Sequence, residues 1–407
     1  MSIPPRALAL VALLVAGPAA RAGLESFTVN STKDLPDLTP LGDGVVDADL
    51  DAPGEQVTLR AAIQEANALA GADSIVLPAG KYVLKRKGSL ENGALTGDLD
   101  VTDDLTIVGA GATTTTIDAK KAKDRVFHVL GARLTLSGVT LRKGKPTADA
   151  ERGGGVLAEA GAELIMNACV VQKCKSVDDG GGVALVDADA TITDTTFLKN
   201  KSSDDGGGLD TSSSGTVTVE RCAFVANRAK REGGAFEGSE VTATIVNTTF
   251  YKNKAQTGGA LQLQDGGTYE LVNCTVAKNR AKVDASGLAE SVGDSDDEVI
   301  RIANSLFDNW KKRNYSGDGV TSLGHNLDSG ETFGFAGPGD LGSTTPRLGK
   351  LSKGTGAPPT VALKAASPAI DAADDALAPM TDQRGLPRVD QPDVGSATAD
   401  IGAYERQ

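Results

Sequence analysis

Four stretches decide the fold: TITDTTFLKNKSSDDGGGL (residues 191–209), VERCAFVANRAKREGGAF (219–236), IVNTTFYKNKAQTGGAL (245–261) and LVNCTVAKNRAKVDASGL (271–288). Each holds a short alternating strand, then an apolar residue, then Asn three positions later, then small residues about six further on. Ile192, Thr195 and Phe197 form one inward set; Val219, Cys222 and Phe224 form the next. Ile245, Thr248 and Phe250 follow, then Leu271, Cys274 and Val276. The same offsets give Met166, Cys169 and Val171 upstream, preceded by Leu136, Val139 and Leu141, and give Ile302, Ser305 and Phe307 downstream. The last members are separated by 30, 26, 27, 26, 26 and 31 residues, a recurrence that chance rarely produces over seven sets.

A unit of this size cannot bury its own apolar face and must stack on its neighbours, which is the physics of a solenoid. Parallel strands stack about 4.8 Å apart, and two-residue alternation turns every second side chain inward. The pattern predicts an all-β fold, a right-handed single-stranded parallel β-helix. Phe197, Phe224 and Phe250 then stack as a core ladder. Asn200, Asn227, Asn253 and Asn279 fall at one turn, where stacked amides satisfy each other and the backbone. Glycines at 180–182, 206–208, 233–234 and 258–259 allow the tight bend that opens the next strand. The composition agrees: aromatics are 4%, while 49 of 407 residues are glycine, which suits short strands and tight turns.

The paired GGA-hydrophobic and F-x-x-N segments resemble the repeats of polymorphic outer-membrane proteins over roughly residues 130–310. Ahead of them, TLRAAIQEAN, DSIVLPAGKYVL, NGALTGDLDV, DLTIVGAG and DRVFHVLGARLTLSGVTL are similar to the CSLREAI-type N-terminal region of exported β-helix proteins. Within it, Thr58–Ala70 reads as an amphipathic helix capped by Thr58, with Leu59, Ile63, Ala66 and Ala70 on one face, forming a lid on the first coil. The resemblance implies a cysteine pair, but this chain has Val46 and Val57 at those places, an apolar contact where relatives carry a disulfide. GHNLDSG, SPAIDAADD, TDQRGLPR and DIGAYE, spanning about 324–405, resemble the choice-of-anchor Q domain. The expected organisation is a signal peptide at 1–22, an N-terminal cap with first coils at 23–130, β-helix repeats at 131–312 and a loop-rich C-terminal cap at 313–407. No sorting tail is visible between Glu405 and residue 407, which puts surface anchoring in doubt and favours release or retention by other contacts.

The N-terminus has the form of a secretory signal, with Arg6, an apolar run from Leu8 to Val15 and Ala20-Arg21-Ala22 as a small-x-small cleavage site. Without residues 1–22 the chain carries 39 basic and 54 acidic residues, a formal charge of −15. That balance argues against nucleic acid and anionic membrane as partners.

Candidates for chemistry are few. Of two histidines, His128 alternates with apolar neighbours in VFHVL and reads as a satisfied strand residue, and His325 lies in a terminal loop, so neither a Ser-His-Asp triad nor a zinc site is supported. Cys222 and Cys274 fall two coils apart, beyond disulfide reach; Cys169 is two further away and Cys174 replaces a ladder Asn, so four reduced, mostly buried thiols are expected. The pairs Asp178-Asp179 and Asp204-Asp205 precede GGG in successive coils. Three readings stay open: a calcium site, a glycosidase-like carboxylate pair, or a solvated turn with splayed side chains. Arg228, Lys230 and Arg231 form a basic turn that could neutralise a uronate, though a solvated turn explains them equally well, and Tyr251, Tyr269, Trp310 and Tyr315 are the candidate sugar platforms. In the terminal segment, Asp371, Asp382, Arg384, Asp400 and Glu405 read as an ion-paired cap, with Arg384 bidentate to one carboxylate.

The expected function is structural or adhesin-like: a secreted or outer-membrane surface protein of a bacterium, a monomer without a transmembrane span or organic cofactor, with calcium at Asp178, Asp179, Asp204 and Asp205 as the one cofactor option and a glycan or cell-surface partner. The alternative is a polysaccharide-degrading lyase or hydrolase that uses those aspartates, since many such enzymes are β-helices of pectin-lyase type; fold alone does not decide between them.

Overall fold

The computed structural model describes residues 24–148, 151–213, 215–291, 298–354, 356–388 and 398–407. The expected signal peptide at 1–22 lies outside the described residues. The chain winds as a right-handed parallel β-helix of about 8 turns. Three sheets of 11, 10 and 9 strands run its length, and each strand pairs in parallel with its counterpart one coil away. One coil shows the order. Leu209–Ser212 lies in the nine-stranded sheet, Thr216–Glu220 in the eleven-stranded sheet and Ala223–Val225 in the ten-stranded sheet, after which a turn leads to Phe236–Ser239 above the start.

The register stacks like on like. Ile192, Val219, Ile245, Leu271 and Ile302 pair in sequence, and so do Val171, Phe197, Phe224, Phe250, Val276 and Phe307. The rings of Phe197 and Phe224 are 4.5 Å apart and 1° from parallel, and those of Phe224 and Phe250 are 5.0 Å apart. Such pairs contribute about 0.5–1.5 kcal/mol each beyond area burial.

Beside this column runs the asparagine ladder. Asn227 Oδ1 accepts from the backbone N–H of Asn200 at 2.9 Å and from its Nδ2 at 3.2 Å, while Asn227 Nδ2 donates to the Phe197 carbonyl at 2.9 Å and to Asn253 Oδ1 at 3.2 Å. The scheme repeats at Asn253 and Asn279 and continues to Asn309 and Asn314. Cys174 takes the position before Asn200, donating only its backbone N–H to it. At the opposite corner, buried Cys169, Thr195, Cys222, Thr248, Cys274 and Ser305 form a third column. There the backbone N–H of Cys169, Cys222 and Cys274 donates to the hydroxyl of the next coil at 3.0–3.3 Å. All four cysteines are free and buried, and burial pushes the thiols up, Cys169 to about 11 and Cys174 and Cys274 to about 12.

Glycines open the middle strands of the nine-stranded sheet, those beginning at Val156, Val183, Leu209, Phe236 and Leu261, for two separate reasons. Gly206 sits at φ 57°, as Gly180, Gly233 and Gly258 do at similar angles. The next residue, Gly207, has no room for a side chain, because a Cβ there would meet the Gly234 carbonyl oxygen at 2.4 Å.

At the N-terminal end the helix spans Leu59–Ala68, and Thr58 Oγ1 accepts from Ala61 N–H at 3.1 Å. It packs on Asp73–Leu77 and Leu99–Val101. It is not the two-faced lid the sequence predicted. Every residue from Leu59 to Ala66 is buried, and past its end Leu69 turns inward while Ala70 is exposed. Segment 30–57 wraps its outer side, where Asp37 and Gly42 donate backbone N–H groups to Gln64 and Glu65. Arg60 is fully buried with four hydrogen bonds: Nε donates to Asp34 at 2.7 Å, and its Nη atoms donate to the carbonyls of Ala94, Asp98 and Gly97. Val46 and Val57 are both buried in the common core.

The C-terminal segment differs from a simple end cap. Coils continue past residue 312, because Tyr315–Ser316, Thr321–Gly324 and Leu327–Asp328 add a strand to each sheet. Phe333 and Phe335 then close the end, with the Phe333 ring 4.4 Å from Phe307 and 4.7 Å from Tyr315. The rest turns back along the flank of the coils. Gln383 donates to the Cys222 carbonyl, Asn247 Nδ2 to Thr381, Asn273 Nδ2 to Asp400 and Asn304 Nδ2 to Asp374. Val361 packs with Tyr251 and Ala277. The non-repeating tail is thus a strap across four coils, held by a second asparagine column at 247, 273 and 304.

Replacing Asn253 by Ala leaves two N–H donors of Asn227, the Phe224 carbonyl and Asn279 Oδ1 without that partner in the interior. The expected loss is on the order of 3 kcal/mol. A denaturant unfolding midpoint unchanged from the parent would contradict the structural role of the ladder.

Candidate functional site

Outward positions of the nine-stranded sheet form a column that alternation would leave in solvent. In register it runs Asp100, His128, Leu157, Ala184, Asp210, Glu237 and Gln262. All are buried, and from Leu157 to Gln262 the glycine turns fold back over them; a Cβ on Gly206 would meet the Asp210 Cβ at 2.5 Å. Two polar groups result.

The first surrounds His128. Its Nδ1 lies 3.5 Å from Asp100 and its Nε2 3.1 Å from Glu159, so three coils each supply one member. Arg125 bridges Asp98 at 3.1 Å and Glu151 at 3.4 Å. Burial pulls the imidazole pKa down, but the two carboxylates outweigh it and the net shift is upward. Burial, with Asp124 adding, pushes the Asp98 carboxyl up against the pull of Arg125. The group borders a cleft of about 520 Å³ walled by Asn92, Arg152 and Leu157 among others. Ligand atoms of Asp98, Asp100 and His128 lie within 4.8 Å of one another, close enough to share a metal ion. The sequence reading of His128 as a satisfied strand residue missed the carboxylates around it.

The second group contains the four aspartates singled out from sequence. Asp178 and Asp179 are bridged by Arg152 at 3.4 and 3.2 Å, and Asp204 and Asp205 by Arg231 at 3.1 and 2.9 Å. Asp179 also accepts the backbone N–H of Asp205, and Asp205 accepts that of Glu232, so these carboxylates fasten turn to turn. Oxygens of Asp178, Asp179 and Asp204 lie within 4.8 Å of one another, which gives cation spacing, but two guanidiniums already sit on them. Beneath lie Asp210 and Glu237, hydrogen-bonded neighbours on adjacent strands. Burial, with the Asp179 charge adding, raises Asp210 although its bond to Glu237 opposes, and burial with the Asp210 charge raises Glu237 well above the carboxylate range. Burial also pushes Asp205 up to about 7, with Arg231 opposing. Asp210 and Glu237 escaped the sequence reading, although a signal was present: each directly follows the inward apolar residue after a glycine motif, in GGGLD and GGAFE.

The other candidates separate. Arg231 belongs to the acidic ridge, while Arg228 and Lys230 are exposed. Of the four aromatic platforms, Tyr251 and Tyr269 are buried and Tyr315 is half-buried against Glu290; Trp310 is the exposed one at 49%. In the strap, Arg384 is not bidentate. Its Nε reaches Asp382 at 2.8 Å, its Nη2 donates to the Glu405 carbonyl, and its plane lies 4.0 Å from the Tyr404 ring. Arg388, not singled out from sequence, pairs with Glu405 at 2.9 Å. Asp371 donates its backbone N–H to Asp400, and His325 Nδ1 lies 2.8 Å from the Ala372 carbonyl.

A family model described as a right handed beta helix region matches residues 125–293. Together with the three parallel sheets, it defines a parallel β-helix repeat protein. No curated protein and no solved structure matches the chain. Among the described residues no helix is long and apolar enough to cross a membrane.

The raised carboxyls set a pH dependence. Unfolded, these groups titrate near about 4. In the fold, burial pushes Asp205 and Glu405 up to about 7 and Asp400 to about 6, and Asp210 and Glu237 are also raised. The folded state therefore binds more protons across this window, and its stability falls as pH rises from about 4 to about 7. Thermal midpoints are expected to be higher at pH 5 than at pH 8, with a smaller difference in the Asp210→Asn/Glu237→Gln variant. A midpoint that rises with pH would reverse the assignment.

Proposed function

We propose that this chain is an exported, non-catalytic β-solenoid that acts as an adhesive or structural scaffold at or outside the bacterial cell surface, working as a monomer and holding a glycan or surface partner along its coils. Export rests on the sequence of residues 1–22 and on the resemblance to exported β-helix proteins. One observation carries the non-catalytic reading: the acids suited to chemistry are already engaged. Asp210 and Glu237 are 2% and 4% exposed, shut beneath the glycine turns, and the four ridge aspartates are tied to Arg152 and Arg231. A general acid must reach the leaving group of its substrate, and a nucleophile must reach the bond it attacks.

The enzyme reading has one specific support, the carboxyls of Asp210 and Glu237 raised together by burial, a shift that general acids use. It requires the glycine turns to open. A panel of acidic and neutral polysaccharides separates the two. The scaffold predicts no new reducing ends and no unsaturated uronates. Products that disappear in Asp210→Asn and Glu237→Gln would make this a polysaccharide-degrading enzyme.

Calcium is dispensable on the same reading, because guanidiniums supply the neutralising charge at Asp178, Asp179, Asp204 and Asp205. The melting midpoint is expected to be equal in chelator and in excess calcium. A calcium-dependent rise that Asp178→Asn removes would instead assign the ridge to a structural ion.

A further inference from the structure

The turn that carries the asparagine ladder also carries two rows of cations. Lys175, Lys201, Arg228, Lys254 and Arg280 stand in one row, joined coil to coil by parallel bridges. Lys173, Lys199, Lys252 and Lys278 form the second, each in the left-handed region at φ 55–59° just ahead of the ladder position. All nine side chains are exposed. The ladder fixes the rows: residues flanking a buried column point outward at every coil, about 4.8 Å apart.

These charges are not neutralised from within. The next ridge is internally paired, with Arg152 on Asp178 and Asp179, Arg231 on Asp204 and Asp205, and Arg313 on Asp284. Among the described residues none of the nine cations has an ion-pair partner; Asp308, at the end of the rows, is the acid beside them. The row containing Arg228, Lys254 and Arg280 separates two open clefts of about 760 and 340 Å³. Lys252 and Lys278 border the first, and Lys230 and Lys282 border the second. Exposed Trp310 closes the first cleft, with the Arg280 guanidinium 4.9 Å from its ring.

We propose that these rows bind a linear acidic polysaccharide, a uronan or sulfated glycan, lying along the solenoid axis with its anionic groups over successive coils. The proposal rests on the scaffold reading and names its ligand class. A straight row of fixed charges about 4.8 Å apart suits an extended glycan, whose sugar units repeat at a comparable rise. A nucleic-acid duplex fits poorly, because its phosphates advance about 3.4 Å per strand and wind away from a straight row. The net charge of −13 confines attraction for polyanions to this stripe. Trp310 offers the apolar face that sugar rings stack on.

Equilibrium binding of the secreted-form protein to polygalacturonate, heparin, neutral dextran and single-stranded oligothymidylate over a salt series tests this. Polygalacturonate or heparin is expected to bind with log affinity falling linearly in log salt, and dextran not to bind. Lys201→Gln/Arg228→Gln/Lys254→Gln/Arg280→Gln is expected to weaken binding roughly tenfold or more. Lys85→Gln/Lys87→Gln/Lys350→Gln/Lys364→Gln, with the same charge change elsewhere, should bind as the parent does, and so should Lys201→Arg/Lys254→Arg. A cooperative melting transition at or above the parent midpoint shows that each variant is folded. Unchanged affinity in the row variant, or equal loss in the control, overturns the proposal. Oligothymidylate bound as tightly as the glycans, and lost in the row variant, overturns the glycan assignment. Retention on dextran without polyanion binding overturns this inference and leaves the scaffold reading standing, whereas product release sinks the scaffold reading whatever the rows bind.

Discussion

Every coil has backbone donors and acceptors on both edges that only another coil can satisfy, and this one requirement shapes the rest of the molecule. Parallel pairing at fixed register places a residue at a given offset directly over its counterpart. The consequence differs by chemistry. Phenylalanines gain by stacking, and asparagines gain more, because an amide is both donor and acceptor and passes the pattern on without a change of sign. Carboxylates repel when stacked, and the acidic ridge holds together because Arg152 and Arg231 each span two of them, while burial raises the pair beneath.

The same pairing leaves an unsatisfied edge at each end of three sheets, a template for aggregation unless covered. The two ends are closed differently. The first coil is sealed by a helix whose central tie is a charge, Arg60, with Asp34 and three carbonyls around it. Removing one partner of such a buried pair costs about 3–5 kcal/mol. The last coil is sealed by aromatics, Phe307, Phe333, Phe335 and Tyr315, and by Asp328 and Ser329, which take the final donors of Asn314. The strap then binds coils that are already complete, using asparagine side chains at turns as handles.

Features that repeat were legible in the sequence, because repetition turns a weak local preference into a pattern. Phe224 alone says little; Phe197, Phe224 and Phe250 at one offset fix a register. The buried column on the nine-stranded sheet was not legible for a related reason. Alternation assigns Asp210 and Glu237 to the outside, correctly, but their burial comes from a turn folding over them, and the period of the strand carries no information about that turn. His128 is the same case: its place on a strand could be read, while Asp100 and Glu159 lie 28 and 31 residues away along the chain. The strap was legible as a segment but not in its position, since contacts such as Gln383 with Cys222 follow no period.

Two adjacent ridges of one solenoid handle like charge in opposite ways, and the contrast bears on what the molecule does. Charges about 5 Å apart at the surface repel by roughly 1 kcal/mol per pair in water, less with salt. On the acidic ridge guanidiniums intervene at 2.9–3.4 Å. On the basic turn no carboxylate among the described residues pairs with the rows, although acids outnumber bases in the chain by 54 to 41. Stability alone would favour mixing the signs, which this fold does one ridge away. A row left unmixed keeps a repulsion that an external anion relieves, and because the row is straight and periodic, the anion that relieves most of it is also straight and periodic.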